Sequence, residues 1–423
     1  MAAVRLIAVR EDNGSFRDFV GNDRLLIAPS VAINSRGDIR FLYQLEYSLF
    51  DSTFDRGVVL VDGDAKALPR DRFLGEPNDG DFRQRSQQHQ GTLTVDLAEG
   101  LALEGGVQYR QGTVQGFISE PNFANALSLA SAAAPGRRIL QRTYRERDYG
   151  FDDLSGRLEL AASGTFLGLD HQFRLGVDAL RYDQRQINRA SNGQNYGIDI
   201  FNPVYGRAKP ALATTITDEE LRGEGVYAQD LIGIGPFNLL LGLRHDWLRQ
   251  RTIATAANGT RTEREQSPQA TSPRVALTYA PTDNWSVYAS WGRSFRYNQG
   301  SSLGGADNPN PLGTPFEPER GRAWEVGGKV ALLDGRLQGT VSYFDIFKRN
   351  VLVPGGTFPG SIAVGAARSR GIEGDVNLRL GHRLIATAYY AYIDAETTED
   401  RNPALVGPRL NNIPCHSAAG FVR

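Results

Sequence analysis

Residues 39–49 read Ile39-Arg-Phe-Leu-Tyr-Gln-Leu-Glu-Tyr-Ser-Leu49, with apolar or aromatic side chains at every odd position and mostly polar ones between them. A period of two places alternate side chains on opposite faces of a β-strand. Similar alternation recurs in residues 101–109, 173–179, 237–247, 285–295, 326–332 and 372–380. A helix would need apolar residues at i, i+3 and i+4, and these segments lack that spacing. The pattern predicts an all-β chain.

The connections between these segments alternate between short and long. Short turns rich in glycine, aspartate and proline fall near residues 35–38, 98–100, 164–169, 233–236, 280–284, 333–336 and 380–383. Long polar connections cover roughly residues 51–85, 112–148, 184–221, 250–269, 298–319, 351–367 and 396–413. Tight turns on one rim and long loops on the other are typical of a transmembrane antiparallel β-barrel, whose periplasmic turns are the short ones. The alternation predicts about 16 strands of about 10–13 residues, which is enough to span a bilayer.

Composition excludes several other classes. The 423 residues include 47 Lys and Arg against 48 Asp and Glu, and no basic cluster of the kind that binds nucleic acid. Cys415 is the only cysteine, so an intrachain disulfide framework and a cysteine-based zinc site are excluded. No run approaches 18 apolar residues, which excludes a transmembrane helix.

Soluble β-sandwiches, propellers and β-solenoids are the structural alternatives. A propeller repeats its blade about every 40–50 residues, and no such repeat occurs here. The aromatic residues also favour a barrel, because they lie near strand ends or on the apolar face, as in the girdles at the two membrane interfaces. They are Trp247, Trp285, Trp291, Trp324, Tyr43, Tyr47, Tyr279 and Tyr343. We predict an outer-membrane location in a Gram-negative bacterium.

Catalytic and metal-binding patterns are missing from the sequence. The histidines are scattered, without a metalloprotease-like spacing: His89, His171, His245, His382 and His416. Asp62-Gly-Asp64 and Asp79-Gly-Asp81 lack the remainder of a calcium-binding loop. There is no phosphate-binding loop and no nucleophile elbow. We predict that the chain is not an enzyme and has no catalytic residue, cofactor or metal site of its own.

Several segments resemble the barrel of TonB-dependent siderophore receptors, especially the ferrichrome-type branch, and they follow the family's order along the whole chain. They include Phe16-Arg-Asp-Phe19, Phe54-Asp-Arg-Gly57, Asp199-Ile-Phe-Asn-Pro-Val-Tyr-Gly206, Val226-Tyr-Ala-Gln-Asp230, Leu241-Gly-Leu-Arg-His-Asp246, Trp324-Glu-Val-Gly327, Ser369-Arg-Gly-Ile-Glu373 and Ile413-Pro-Cys-His416. The resemblance implies energy-coupled uptake of ferric siderophores across the outer membrane. The iron would arrive fully chelated, and the partners would be the siderophore, the TonB system and outer-membrane lipid.

The resemblance also implies a barrel of 22 strands closed by an N-terminal plug that carries a TonB box. This chain opens on Met1-Ala-Ala-Val-Arg5, which reads as a strand, and stops within another at Gly420-Phe-Val-Arg423. We therefore expect residues 1–423 to be a partial receptor barrel, incomplete at both ends and lacking the plug domain. An open sheet leaves unpaired backbone groups that lipid does not tolerate, so we expect this chain alone neither to insert stably nor to transport.

Candidate siderophore-binding residues are the aromatic and arginine side chains expected near the outer rim, where such a pocket needs aromatic walls and hydrogen-bond donors. They are Phe54, Arg56, Tyr144, Phe201, Tyr205 and Tyr297. Each could instead serve loop packing or an interface girdle. The segment Phe54–Val58 is less aromatic than its counterpart in ferrichrome receptors, which puts ferrichrome in doubt as the ligand. A passive porin-like channel is the alternative function, because complete porins have 16–18 strands.

Overall fold

The computed structural model describes residues 2–35, 37–122, 138–191, 196–298, 317–354, 361–381, 384–400, 403–410 and 412–423, with side chains at 352–354 and 361–364 outside the description. The eighteen strands are β1 (Ala2–Gly14), β2 (Gly21–Ser35), β3 (Ile39–Thr53), β4 (Asp81–Ala98), β5 (Leu101–Pro121), β6 (Ile139–Phe166), β7 (Leu169–Ala190), β8 (Gly197–Asp199), β9 (Ala213–Ile234), β10 (Phe237–Thr255), β11 (Arg261–Gln266), β12 (Gln269–Thr282), β13 (Trp285–Arg296), β14 (Glu319–Leu332), β15 (Leu337–Pro354), β16 (Ser361–Leu380), β17 (Leu384–Glu399) and β18 (His416–Val422).

The strands form one antiparallel meander in which sequence neighbours pair. Two of them are not separate wall strands. The three-residue β8 pairs only with the start of β6, and β11 continues β12 along the same edge of β10. The wall described here therefore has sixteen strands, which confirms the all-β barrel architecture and the strand number predicted from the sequence. In the described parts of the chain, no helix has the length and apolar character needed to cross a membrane.

Several strands are longer than the sequence indicated. The ladder between β5 and β6 runs from Leu101 opposite Ala162 to Pro121 opposite Arg142, well inside the predicted connection 112–148. β6 reaches 28 residues and β7 reaches 22, whereas 10–13 were expected. The prediction failed because it relied on hydrophobic alternation, which ends where the ladder leaves the bilayer while backbone pairing continues. Two predicted connections lie partly outside the described residues. Residues 382–383 of the predicted turn 380–383, including His382, are outside, and so are residues 299–316 of the predicted connection 298–319.

The two faces of the wall differ in chemistry. One carries exposed apolar side chains in neighbouring strands, such as Val287, Val326 and Val341. The opposite face carries paired polar groups: Arg110 bonds Asp153 at 3.1 Å, and Arg244 bridges Asp178 and Asp246. An apolar band faces lipid and a polar face lines the lumen in transmembrane barrels. We assign the two faces accordingly.

The short connections lie on one rim and the long ones on the other. Tight turns join β2 to β3, β4 to β5, β6 to β7, β9 to β10, β12 to β13 and β14 to β15, as the sequence predicts. Aromatic rings collect beside these turns, where Tyr279 lies 4.8 Å from Phe237 and 5.8 Å from Trp285, measured between ring centroids. The rim of short turns is the periplasmic one in barrels of this kind, so the long loops face outward.

Candidate functional site

Two long connections pack together beyond the outer rim. We call the outer cap the assembly of residues 54–80, residues 196–209 and the described outer end of the β5–β6 hairpin, which is residues 117–122 and 138–145. Its apolar core contains seven buried side chains: Val59, Val61, Leu68, Leu74, Leu140, Ile198 and Ile200. Sheet walls bury little on their own when both faces contact solvent or lipid, so this core supplies the hydrophobic stabilisation that orders the loops.

A buried ion pair crosses the centre of the outer cap. The side chains of Arg142 and Glu76 are both fully buried, with 3.4 Å between Nη2 and Oε2. Arg142 also donates from Nη1 to the carbonyl oxygen of Gly75, and its guanidinium lies 4.4 Å from the centroid of the Tyr196 ring. The other oxygen of Glu76 accepts from the backbone nitrogen of Gly206 at 2.9 Å. One charge pair therefore fastens both loops to the hairpin.

A second cation joins the same elements. The Nζ atom of Lys209 lies 3.1 Å from Asp79 and 4.9 Å from the centroid of the Tyr144 ring. Tyr144 in turn stacks on Phe117 across the hairpin, with centroids 5.7 Å apart and the ring planes 12° apart. A lysine over an aromatic face gains cation–π stabilisation when it is partly desolvated. Together these contacts make the outer cap a preformed structure.

Five of the six predicted binding residues lie in or beside the outer cap. Tyr144 is buried in the stack described above, and Tyr205 donates from its hydroxyl to the carbonyl oxygen of Phe73 at 2.8 Å. Phe201 packs against the apolar core beneath the guanidinium of Arg138. All three therefore have packing roles, which leaves less of each side chain for a ligand.

Phe54 and Arg56 lie at a more open edge of the outer cap. The guanidinium of Arg56 lies 5.0 Å from the Phe54 ring centroid and donates to Glu120 at 3.0 Å. Glu120 also pairs with Arg145 at 3.3 Å, so one carboxylate is shared between two arginines. The Arg56 side chain is 41% exposed, which leaves part of the guanidinium accessible.

Tyr297 lies elsewhere, directly after β13. Its position follows from its neighbour along the chain. The next residue, Asn298, accepts a hydrogen bond on its carbonyl oxygen from the buried Gln250 at 2.7 Å. The stem of the β13–β14 connection is therefore anchored against the lumenal face.

Sequence reasoning missed Arg142, Glu76 and Lys209, which hold the outer cap together. All three lie in polar stretches that read as solvated loop, and Arg142 is 66 residues from Glu76 along the chain. Because their partners are far away in the sequence, no local pattern of residues indicates that these polar side chains are buried. The described residues contain no group of three or more histidine, cysteine, aspartate or glutamate side chains that could hold a metal ion.

We expect the outer cap to loosen in alkali. Burial raises the pKa of Tyr196 and of Tyr205; for Lys209, burial acts to lower the pKa, but the ion pair with Asp79 raises it on balance. A group whose pKa is raised by folding contributes stability that is complete below its unfolded pKa and is lost as pH rises through its folded pKa. Proteinase K cleavage within residues 54–80 should therefore stay constant up to about pH 9 and accelerate above about pH 10.

The matched control for this pH dependence is Lys209→Arg, which keeps a cation that does not titrate in this range. The variant should show a shallower rise in cleavage. Equal cleavage rates at pH 9 and pH 11 in the unaltered protein would contradict the expectation.

Comparisons with known proteins agree with this architecture. The family described as TonB dependent receptor-like, beta-barrel matches residues 28–423. The chain is 35% identical to the metal-pseudopaline receptor CntO of Pseudomonas aeruginosa over 97% of this chain and 56% of that protein. It is 30% identical to the ferrichrome outer membrane transporter/phage receptor of Escherichia coli, over 84% of this chain and 48% of the other.

Solved structures show the same fold. The crystal structure of the siderophore receptor PiuA from Acinetobacter baumannii superposes with a TM-score of 0.83 at 19% identity, covering 100% of this chain and 65% of that one. The chain thus spans about half the length of the curated relatives named above. It belongs to the TonB-dependent receptor β-barrel family, which is a family of outer-membrane transport proteins of Gram-negative bacteria and not of enzymes, as the sequence predicts.

Proposed function

We propose that this chain supplies barrel wall and outer loops to a receptor that imports metal chelates of the siderophore class with energy from the TonB system. The observation that carries the proposal is the preformed outer cap on a barrel of this family, because a rigid aromatic and charged surface at the outer rim suits capture of a scarce ligand. Two relatives support it, since one is named for a metal-pseudopaline complex and the other for ferrichrome.

The ligand class follows from the chemistry of the rim. Phe54 with Arg56 offers an aromatic face beside a partly exposed guanidinium, which together suit a chelate that has both an apolar body and anionic oxygens. The chelator would hold the metal ion, so the protein would need no metal ligand. A ferrichrome-type ligand is the narrower form of the proposal. The chain is more similar in sequence to the metal-pseudopaline receptor than to the ferrichrome transporter, so metal chelates other than ferrichrome should also be tested as ligands.

The six candidate residues have different roles in this proposal. Arg56, Phe54 and Tyr297 would contact the chelate, because the first two lie at an open edge and the third precedes Asn298, which bonds Gln250 of the lumenal face. Phe201, Tyr144 and Tyr205 would shape the outer cap around it. We also propose that residues 1–423 act as the barrel portion of a longer receptor with a plug, in keeping with the share of the relatives that the chain spans.

Disruption of the gene that encodes this chain should abolish uptake of one class of metal chelate. The experiment supplies the bacterium with radioactive iron or zinc as hydroxamate, catecholate or carboxylate chelates, with and without a protonophore, and restores the gene on a plasmid as the control. Uptake of one chelate should fall to background after disruption and also after protonophore treatment.

Unchanged uptake of every chelate after disruption would contradict the proposal. Uptake that depends on the gene but continues in the presence of protonophore would favour a passive, porin-like channel. That result would fit the sixteen wall strands equally well.

A further inference from the structure

A carboxylate lies on the lipid-facing side of the wall, inside the apolar band. Asp230 of β9 is opposite Phe173 of β7 and Leu241 of β10, which are exposed members of that band. Side chains directly opposite one another share a face of the sheet. Along β9 itself, the same face carries Val226 and Ile232, because they are separated from Asp230 by even numbers of positions. Asp230 therefore faces lipid among apolar side chains.

The level of Asp230 is that of the periplasmic half of the bilayer. Its partner Leu241 is four residues from Phe237, which belongs to the aromatic rings beside the periplasmic turns, and six residues from Trp247. Four residues of a strand tilted by about 45° rise about 9 Å along the membrane normal. Aromatic rings of this kind lie at the level of the headgroups. The backbone of Asp230 therefore lies about 9 Å inside the periplasmic headgroups.

The carboxylate of Asp230 is only partly satisfied by the wall. Its Oδ2 atom lies 2.7 Å from Nδ1 of His171, whose ring packs edge-on against the ring of Phe166 with 6.1 Å between centroids. His171 is opposite Ile232, so the bond directs the carboxylate towards the periplasmic leaflet. Within the described ranges, Oδ1 of Asp230 has no hydrogen-bond partner, and 22% of the side chain is exposed. An ionised carboxylate can accept about four hydrogen bonds.

A carboxylate with so few donors is unfavourable in apolar surroundings. Ionisable groups inside a membrane are costly because the hydrocarbon withholds water, and they mark sites where a partner binds. The cations at nearby levels of the adjacent strands, Arg174 and Arg244, face the lumen and form ion pairs with carboxylates there. The further donor for Asp230 therefore has to come from the lipid side.

We propose that Asp230 and His171 bind a phospholipid of the periplasmic leaflet whose headgroup carries a primary ammonium group, as phosphatidylethanolamine does. The ammonium group has three N–H donors and a positive charge, and it would bond the open side of the carboxylate. The phosphate would lie nearer the interface beside His171, whose Nε2 atom can donate to it when the ring is protonated. The acyl chains would follow Phe173 and Leu241 into the apolar band.

This interaction requires the outer-membrane location and is independent of which chelate the receptor imports. It would fix the depth and orientation of this side of the barrel in the periplasmic leaflet. Lipid binding and chelate uptake are measured separately, so either can fail without the other.

The test measures binding of defined phospholipids to the longer receptor that contains this chain, extracted from outer membranes in mild detergent. The lipid probes have identical acyl chains and differ in headgroup: phosphatidylethanolamine, phosphatidylcholine and phosphatidylglycerol. Free ethanolamine is the fourth probe, and native mass spectrometry counts the bound lipids. Phosphatidylethanolamine should bind about tenfold more tightly than phosphatidylcholine, whose methylated ammonium has no N–H donor. Phosphatidylglycerol should bind no better than phosphatidylcholine, because it brings an anion and no cation.

Two single variants make the test specific. Asp230→Asn removes the charge with little change in volume and should reduce the preference for phosphatidylethanolamine over phosphatidylcholine to less than about twofold. The matched control is Glu224→Gln, on the same strand and the same face but opposite Trp247 and exposed. Water already solvates that carboxylate, so the control should keep the preference. Heat-modifiable migration on a gel verifies that both variants keep a closed barrel, and the comparison of the three lipids needs no variant.

Four results would overturn the proposal. Equal affinity for phosphatidylethanolamine and phosphatidylcholine would mean that the ammonium donors are not recognised. An unchanged preference in Asp230→Asn would place the ammonium group elsewhere. Equal loss in Asp230→Asn and Glu224→Gln would mean that only net charge matters. Competition by free ethanolamine at the concentration at which the lipid binds would assign the site to a soluble amine in place of a lipid headgroup.

Discussion

Arg142→Ala should release the two loops of the outer cap, residues 54–80 and 196–209, from the β5–β6 hairpin. The substitution leaves the carboxylate of Glu76 fully buried without its cation, and removing one partner of a buried pair costs about 3–5 kcal/mol. The carbonyl oxygen of Gly75 loses its donor as well. Hydrogen exchange followed by mass spectrometry should show faster exchange in residues 54–80 and 196–209, while the wall strands β14 and β15 remain protected.

Two further variants separate the ion pair from a general loss of contacts. Arg145→Ala removes a partly exposed arginine of the same strand, which pairs with Glu120, and should cost less than about 1 kcal/mol. The double variant Arg142→Met with Glu76→Gln removes both charges but keeps an acceptor for the nitrogen of Gly206. It should recover most of the lost protection. Unchanged exchange in Arg142→Ala would mean that the apolar core alone holds the outer cap.

The wall was predictable from the sequence because the bilayer imposes a local rule. Each strand that crosses lipid needs apolar side chains at alternate positions. The sequence of residues 39–49 alone therefore indicates that they form a strand and which of their side chains face lipid. The tight turns were equally visible, since a two- to four-residue connection demands particular residue types. These local constraints explain why the strand number and the placement of short and long connections on opposite rims were predicted correctly.

The outer cap was not predictable in this way. Beyond the bilayer, no alternation of apolar and polar side chains is required. The β5–β6 hairpin therefore continues to Pro121 without a hydrophobic pattern. Tyr144 and Tyr205 were selected as aromatic residues near the rim, and both do lie there. Their burial depends on Lys209 and Phe73, which are distant in the sequence. Long-range packing decides such positions, and alternation carries no information about it.

Gly100→Ala should destabilise the periplasmic end of the wall by about 3 kcal/mol. Gly100 forms the turn between β4 and β5 with a φ of +70°, a conformation that costs alanine about 1–2 kcal/mol. A Cβ atom there would also lie 2.2 Å from the carbonyl oxygen of Ser163 on β6. Relief of that overlap requires β6 to move away, which breaks the 2.6 Å hydrogen bond from the nitrogen of Ser163 to the oxygen of Gly100.

Urea titration of the longer receptor that contains this chain, folded in phospholipid vesicles, measures this loss as a lower midpoint with an unchanged slope. Gly164→Ala is the matched control, because it lies next to Ser163 with ordinary φ and open space around its added Cβ atom, and it should shift the midpoint little. Gly100→Asn separates the two causes. Asparagine tolerates the left-handed conformation but keeps the contact with Ser163, so it should recover only the conformational part of the loss. If alanine at positions 100 and 164 lowered the midpoint equally, neither the close approach nor the backbone conformation of Gly100 could be the cause.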